Sequence, residues 1–131
     1  MAEGFGQYLE QVGPNRIKPV KQEIQDLNDP EEKMLMIMDI LSVDLELIPD
    51  VGDFYTFVYN ARTPRLEYDQ HPLIACTDVK QWGFRGFNYH WEDFRNYNWN
   101  EVAGQLYVVR PNELMDLRQI SYAYYKIVPP G

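Results

Sequence analysis

The chain is 131 residues long, which predicts one domain with room for a hydrophobic core that needs no disulfide or metal. Its net charge is −8, and the acidity lies in residues 1–53, where twelve Asp and Glu face four Lys and Arg. This charge balance argues against general nucleic-acid affinity, which requires clustered Lys and Arg. No apolar run predicts a membrane helix or a signal peptide, so a soluble protein is expected.

Residues 1–28 predict an extended N-terminal arm, because glycines and prolines alternate with scattered charges and few apolar side chains. The candidate anchors of the arm are Ile17, Val20 and Ile24, which would order against a neighbouring subunit in an assembly. A short helical turn across Val20 to Leu27 is the alternative, since Val20, Ile24 and Leu27 share one helical face. Residues 29–131 are then predicted to form a single barrel-like domain.

A helix is predicted to begin after Asp29, whose carboxylate suits the N-cap, with Pro30 in the first helical position. The helix would continue to about Leu41, although the sequence leaves helix or strand open for residues 34–41. Beyond that point, apolar residues alternate with Asp44 and Glu46, a period that predicts a strand ending near residue 48.

Five strands are predicted in the rest of the chain, with turns or short helical segments over residues 92–104 and 111–117. These strands cover residues 54–59, 71–79, 82–91, 105–109 and 120–128. Short turns and the lack of a βαβ rhythm predict a mainly β (α+β) fold: a small, five-stranded, partly open barrel of the SH3-like or OB-like kind with short helices. A two-layer α+β sheet is the alternative.

The densest feature is residues 81–101, in which eight of twenty-one side chains are aromatic. In a continuous strand, Arg85, Phe87, Tyr89 and Trp91 share one face, and Phe84 and its alternating neighbours share the other. One face is expected to complete the core and the Arg85/Tyr89 side to meet another subunit. The interface candidates in this stretch are Trp82, Phe84, Arg85, Tyr89, Trp91 and Arg95.

No residue pattern predicts catalysis, a metal site or a cofactor. Two histidines, His71 and His90, with one cysteine lack the paired spacing of a zinc site. Cys76 lies within an apolar strand, away from the cationic surroundings that activate a thiol. The glycines near residue 85 do not form a phosphate-binding loop.

The order FYTFVYNARTPRLEYDQHPLIACTDV followed by WGFRGFNYHW resembles small virion proteins of T-even-like contractile-tailed bacteriophages. The resemblance covers residues 54 to about 91. It implies a non-enzymatic tail, baseplate or neck component, made in the host cytoplasm and assembled with virion proteins as a homo- or hetero-oligomer. It also implies roles in keeping the fold for Tyr68, Asp69, Pro72 and Leu73 in a turn, and for Gly83, Gly86, Asn88 and His90 in a bent strand.

Two other functions are compatible with the sequence. A nucleic-acid-end or single-strand binding protein would stack bases on Trp82, Phe84 and Tyr89 beside Arg85. An acidic inhibitor or adaptor would present Asp39, Asp44 and Glu46 to a basic host protein.

Overall fold

The computed structural model describes residues 13–63 and 66–128, and within them the fold is mainly β with a few short helices. The three α-helices are α1 (Lys21–Asp26), α2 (Pro30–Leu41) and α3 (Leu114–Arg118). Three 3₁₀ turns accompany them, at Lys18–Val20, Trp99–Glu101 and Pro111–Glu113. The strands are β1 (Leu45–Glu46), β2 (Phe54–Tyr59), β3 (Glu67–Asp69), β4 (Leu73–Val79), β5 (Gly83–Asn88), β6 (Asp93–Asn98), β7 (Val102–Val109) and β8 (Tyr125–Ile127).

The strands form two antiparallel sheets. Six strands make one sheet in the order β1-β7-β2-β4-β5-β6, and β3 pairs with β8 in a separate two-stranded sheet. The larger sheet is not closed, because β1 and β6 lie at its two ends. The described residues therefore contain eight strands, arranged in two sheets, where the sequence predicted one strand before residue 49 and five after residue 53.

Strand β2 is covered on both faces, as its aromatic and β-branched sequence predicts. On one face, Phe54 and Val58 contact a core built from the helices, including Ile37 and Leu41 of α2. On the other face, Tyr55 and Phe57 enter a second, largely aromatic core. The central strand thus separates two hydrophobic clusters, and each must be filled for the sheet to be stable.

The described part of residues 1–28 is helical where an extended arm was predicted, and α1 confirms the alternative of a short helical turn across Val20 to Leu27. Lys18–Val20 and α1 are helical, and Ile17 and Ile24 are completely buried in the helical core. Asn15 fixes the start of this segment, because its side-chain oxygen accepts hydrogen bonds from the Ile17 and Lys18 amides. The 3₁₀ turn and α1, which follow Ile17, bring Ile17 and Ile24 into the same buried cluster, so the chain itself uses them as core residues. Residues 1–12 lie outside the described residues.

Helix α2 confirms the predicted start and end. The Asp29 carboxylate accepts a hydrogen bond from the Glu31 amide at 2.9 Å, and Pro30 is the first helical residue. The helix reaches Leu41, which settles the open choice for residues 34–41. The strand predicted after it is reduced to the two residues of β1.

The segment 92–104 differs most from its prediction. Strand β6 pairs with β5 over its whole length, followed by the turn Trp99–Glu101 and the early start of β7. The helical turns expected there are limited to that one 3₁₀ turn. The last predicted strand, residues 120–128, is limited to the three residues of β8. Its partner is β3, which lies in a segment predicted to be a connection. The pairing of β3 with β8 joins residues more than fifty positions apart, which local sequence patterns do not encode.

Candidate functional site

A row of aromatic side chains crosses the face of the sheet that packs against the helices. The row becomes exposed to solvent at β5 and β6. The row contains Phe54, Tyr89, Phe87 and Phe94, which we call the aromatic ladder. Successive ring centroids are 6.4 Å apart from Phe54 to Tyr89, 5.2 Å from Tyr89 to Phe87, and 5.3 Å from Phe87 to Phe94. Two of these contacts are edge-to-face, the geometry that aromatic pairs prefer.

Each end of the exposed part of the aromatic ladder carries an arginine. The Arg85 guanidinium carbon lies 5.0 Å from the Phe94 ring centroid, and that of Arg118 lies 5.0 Å from the Tyr89 ring. Both arginines are exposed, and 48% of Phe94 is accessible to solvent. The surface therefore combines flat apolar rings with guanidinium groups, the residue types enriched at interface hot spots.

The ladder exists because β5 and β6 alternate side chains strictly between two faces. Phe84, Gly86 and Asn88 are buried, whereas Arg85 is exposed and Phe87 is half-buried, as the predicted faces of this strand require. Phe94 stands opposite Phe87 in the register of β5 and β6. The helices cover the sheet only as far as Phe54 and Tyr89, so the rings beyond them face solvent.

The predicted interface residues fall into four groups, of which Trp91 and Arg95 form the last, described below. Arg85 and Tyr89 belong to the aromatic ladder and its border. Trp82 is exposed elsewhere, before β5, while Val20 is half-buried. Three more are fully buried in the chain's own cores: Phe84, Ile17 and Ile24. The interface role of the predicted residues stays a prediction.

Trp91 and Arg95 form a separate contact on the opposite side of β6. The Arg95 guanidinium carbon lies 3.8 Å from the Trp91 ring centroid, and Trp91 also packs on Tyr125 at 5.2 Å. These two predicted residues line a cleft of about 390 Å³ between β3 and β6. They are therefore brought together with each other, in a cleft whose lining also includes Phe94 of the aromatic ladder and the neighbouring Arg85.

The floor of this cleft is a buried polar network centred on Asp69. Its Oδ2 lies 2.6 Å from Nδ1 of His90 and accepts a hydrogen bond from Asn88. Its Oδ1 accepts hydrogen bonds from the backbone amides of His71 and Tyr124. One carboxylate thus ties β3 to the end of β5 and to the segment before β8. The arrangement holds these segments of the fold together.

Glu101 supports the other end of the cleft. Burial favours its neutral form, but hydrogen bonds from Asn98, Tyr59 and the Arg62 amide outweigh that effect and lower its pKa. The Glu101 carboxylate therefore stays ionised, and its oxygens have hydrogen-bond donors. Since its oxygens are already used by the chain, Glu101 has a structural role.

Sequence reasoning missed Phe94 and Arg118 as surface partners of Tyr89 and Arg85. Phe94 carried no strand signal: in DFRNYN the two aromatic residues, Phe94 and Tyr97, are three positions apart, a spacing that favours the predicted helical turn. Arg118 carried no signal either, because its contact with Tyr89 joins α3 to the sheet.

Comparisons with protein-family models, with curated proteins and with solved structures gave no match. Within residues 13–63 and 66–128, no helix is long and apolar enough to cross a bilayer. The same residues hold no group of three or more His, Cys, Asp or Glu side chains placed to bind a metal ion.

His71 is expected to make stability depend on pH. Burial lowers the pKa of its imidazole, and neither ring nitrogen has a hydrogen-bond partner among the described residues. The unfolded chain then binds a proton more readily than the folded one, so stability falls as pH drops below the ordinary value of about 6.5. We expect a loss of up to about 1.4 kcal/mol per pH unit in urea denaturation between pH 7 and pH 5. A His71→Gln variant should show a flatter profile, and an identical slope in both proteins would contradict the assignment.

Proposed function

We propose that the protein is a non-enzymatic structural component of a phage virion, of the tail or baseplate, which assembles by burying the aromatic ladder against another virion protein. The partner is a second copy or a different tail protein. On this proposal the protein acts by binding alone, in the virion and without a membrane or nucleic-acid partner.

The observation that carries the proposal is the exposure of the aromatic ladder. Phe94 and Phe87 continue a row of rings that begins at the edge of the helical core. No described residue covers their outer side as the helical core covers Phe54 and Tyr89. Arg85 and Arg118 border the rings and are not ion-paired within the described residues. A partner that buries the rings would gain apolar contact and two guanidinium donors together.

The resemblance to phage virion proteins adds support of a different kind. Gly83 has no room for a Cβ, Asn88 accepts hydrogen bonds from the amides of His90 and Trp91, and Asp69 holds the turn. The residues that carry the resemblance therefore have intramolecular contacts of the kind expected for positions that keep the fold. The SH3-like or OB-like barrel stays a prediction. The N-terminal arm also stays a prediction for residues 1–12, which lie outside the described residues.

Replacing Phe94 by serine is the direct test. The change removes the most exposed ring of the ladder, and we expect it to weaken self-association, or binding to the neighbouring tail protein, about 30-fold, which corresponds to roughly 2 kcal/mol. Sedimentation velocity over a concentration series measures self-association, and purified particles report incorporation.

The matched control is Leu35→Ser, because Leu35 is also a large, exposed apolar residue but lies on α2. Both variants should unfold at nearly the wild-type temperature. A wild-type protein that stays monomeric at all concentrations and is missing from particles would refute the proposal.

Binding of single-stranded nucleic acid is the second candidate, favoured by the stacked rings with an arginine at each end. The platform would consist of Phe94, Phe87 and Tyr89, since Phe84 is buried. Against it stands the net charge of −8. Salt-dependent binding of an oligonucleotide that Arg85→Ala reduces would support this candidate, and no binding at low salt would end it.

The acidic-inhibitor alternative has less support from the contacts. Asp44 is ion-paired with Arg16 and Arg110, and Glu46 accepts a hydrogen bond from Tyr55. Two of the three carboxylates that it requires are thus engaged within the chain, and only Asp39 stands exposed on α2.

A further inference from the structure

The cleft of about 390 Å³ lies between two strand edges that have no partner strand among the described residues. β6 is the last strand of the six-stranded sheet and pairs only with β5, whereas β3 pairs only with β8. Five consecutive residues of β6, 94–98, line one wall, and residues 66–69 line the other. An open strand edge offers backbone donors and acceptors to an added strand.

The register of β6 shows which of its backbone groups are directed away from β5. The amide of Trp99 donates a hydrogen bond to the carbonyl of Trp82, which continues the antiparallel pairing of β6 with β5. Because bonded and non-bonded residues alternate in such a ladder, the odd-numbered residues of β6 bond to β5. The N–H and C=O groups of Asn96 and Asn98 therefore point to the open edge.

The opposite wall has the same property. The amide of Val128 donates a hydrogen bond to the carbonyl of Leu66, so Leu66 and every second residue after it bond to β8. The backbone groups of Glu67 and Asp69 therefore point away from β8, and both residues line the cleft. The two walls are thus two strand edges with unused backbone groups, a feature that selects an extended chain as the occupant.

Three tyrosine rings line the cleft between the Asp69 network and Glu101. The Tyr59 ring lies 6.1 Å from the Tyr68 ring of β3 and 4.9 Å from the Tyr97 ring of β6, measured between centroids. An extended segment projects alternate side chains to the same side, and apolar side chains on that side would pack on these rings.

The charges of the cleft favour an acidic group in the occupant. Neither Arg85 nor Arg95 has an ion pair among the described residues, while Glu67 is the exposed acid on the opposite wall. The Arg95 guanidinium is held against Trp91, 3.8 Å from the ring centroid, so its orientation is fixed before anything binds. A carboxylate is the group that pairs best with a guanidinium of fixed orientation.

We propose that the cleft binds an extended segment of a partner protein, which adds as a strand between β6 and β3 and places a carboxylate against the arginines. The bound segment joins the six-stranded sheet to the two-stranded sheet. The cleft shares Arg85 and Phe94 with the border of the aromatic ladder, but its occupant is defined by backbone pairing and does not rest on the proposed virion function.

Selection from a random library of ten-residue linear peptides supplies the probe, with the full chain as the target. We expect the enriched peptides to bind the wild type at least about tenfold more tightly than Asn96→Pro, measured by fluorescence anisotropy. Proline removes an amide of the open edge and places its ring there, but no hydrogen bond to β5 is lost. Asn96→Ala is the matched control, because it keeps the amide and should bind like the wild type.

Two further readouts identify the binding mode. Hydrogen exchange in the complex should slow on both walls, over residues 94–98 and 67–69. Arg95→Gln should weaken the binding of peptides that contain Asp or Glu by about fivefold or more, because the charged hydrogen bond is lost. A thermal midpoint close to that of the wild type verifies that Asn96→Pro is folded, and if it is not, the exchange pattern and Arg95→Gln decide.

Three results would overturn the proposal. The first is a selection that enriches no peptide, or only peptides that Asn96→Pro binds equally well. The second is protection of one wall alone. The third is protection of β6 without peptide that disappears on dilution, which assigns the cleft to a second copy of the chain. Because the probe is a peptide, these outcomes leave the Phe94→Ser test of the virion proposal unaffected.

Discussion

Replacing Glu113 by alanine is expected to destabilise the protein by about 3–5 kcal/mol, because it leaves a buried guanidinium without its main counter-charge. Glu113 is fully buried and binds Arg16 through Nε at 2.9 Å and through Nη2 at 2.9 Å. It also accepts hydrogen bonds from the backbone amides of Arg16 and Arg110. Four donors from two segments nearly a hundred residues apart therefore meet on one carboxylate.

The surroundings of Arg16 explain the size of the effect. Burial alone would lower the pKa of its guanidinium, but the ion pairs with Glu113 and Asp44 outweigh burial and raise it. Without Glu113, the partners left to the Arg16 guanidinium among the described residues are Asp44 and the Val108 carbonyl. The N-terminal segment that carries Ile17 into the core would lose its anchor.

Urea denaturation measures the loss, with Glu113→Gln and Glu23→Ala as comparisons. The glutamine keeps the size but not the charge, and should cost about 1–3 kcal/mol. Glu23 is exposed on α1, and its replacement should change stability by less than about 0.5 kcal/mol. The role assigned to Glu113 would be contradicted if the free energy of unfolding of Glu113→Ala lies within about 1 kcal/mol of the wild-type value, which is close to the effect of an ordinary surface change.

Gly83→Ala is expected to cost about 3 kcal/mol by forcing β5 and β6 apart. A Cβ at this position would lie 1.9 Å from the backbone oxygen of Tyr97, a contact that no side-chain rotation relieves. Tyr97 packs in the aromatic core, with ring centroids 5.1 Å from Phe57 and 5.4 Å from Phe84. Moving β6 would therefore disturb both the core and the position of Phe94 in the aromatic ladder.

Gly52→Ala is the matched control, since it separates backbone strain from steric overlap. Gly52 has φ of +93° and open space where a Cβ would lie, so alanine there costs only the conformational penalty of about 1–2 kcal/mol. Thermal and urea unfolding compare the two variants. If Gly83→Ala is no less stable than Gly52→Ala, the close approach of β5 to β6 is not a determinant of stability.

Local sequence signals predicted part of the candidate site. The alternation of Arg85 and Phe87 with Phe84 and Gly86 correctly assigned an outer and an inner face to β5, because side-chain direction along a strand depends only on position. The same reasoning placed Phe84 in the interface, although its side of the strand is the core. The choice between the two faces depends on what packs against the sheet, and that information lies elsewhere in the chain.

The rest of the site depends on contacts between distant segments. Phe94 joins the aromatic ladder through the register of β5 with β6, and Arg118 joins through the packing of α3. The Asp69 carboxylate binds groups from residues 71, 88, 90 and 124. Contacts of these two kinds, across a sheet or between residues more than fifty positions apart, do not produce a periodic pattern in the sequence.

The sequence by itself determined helix α2 and strand β2. An N-cap carboxylate with proline at the first helical position specifies a helix start through local hydrogen bonds and backbone geometry. A continuous aromatic and β-branched run specifies a strand with both faces covered. Only the tertiary structure decided that Ile17 and Ile24 fill the helical core, that β1 turns its apolar side to solvent, and that the aromatic ladder extends beyond the helices. Those outcomes follow from which surfaces meet, and burial is a property of the whole fold.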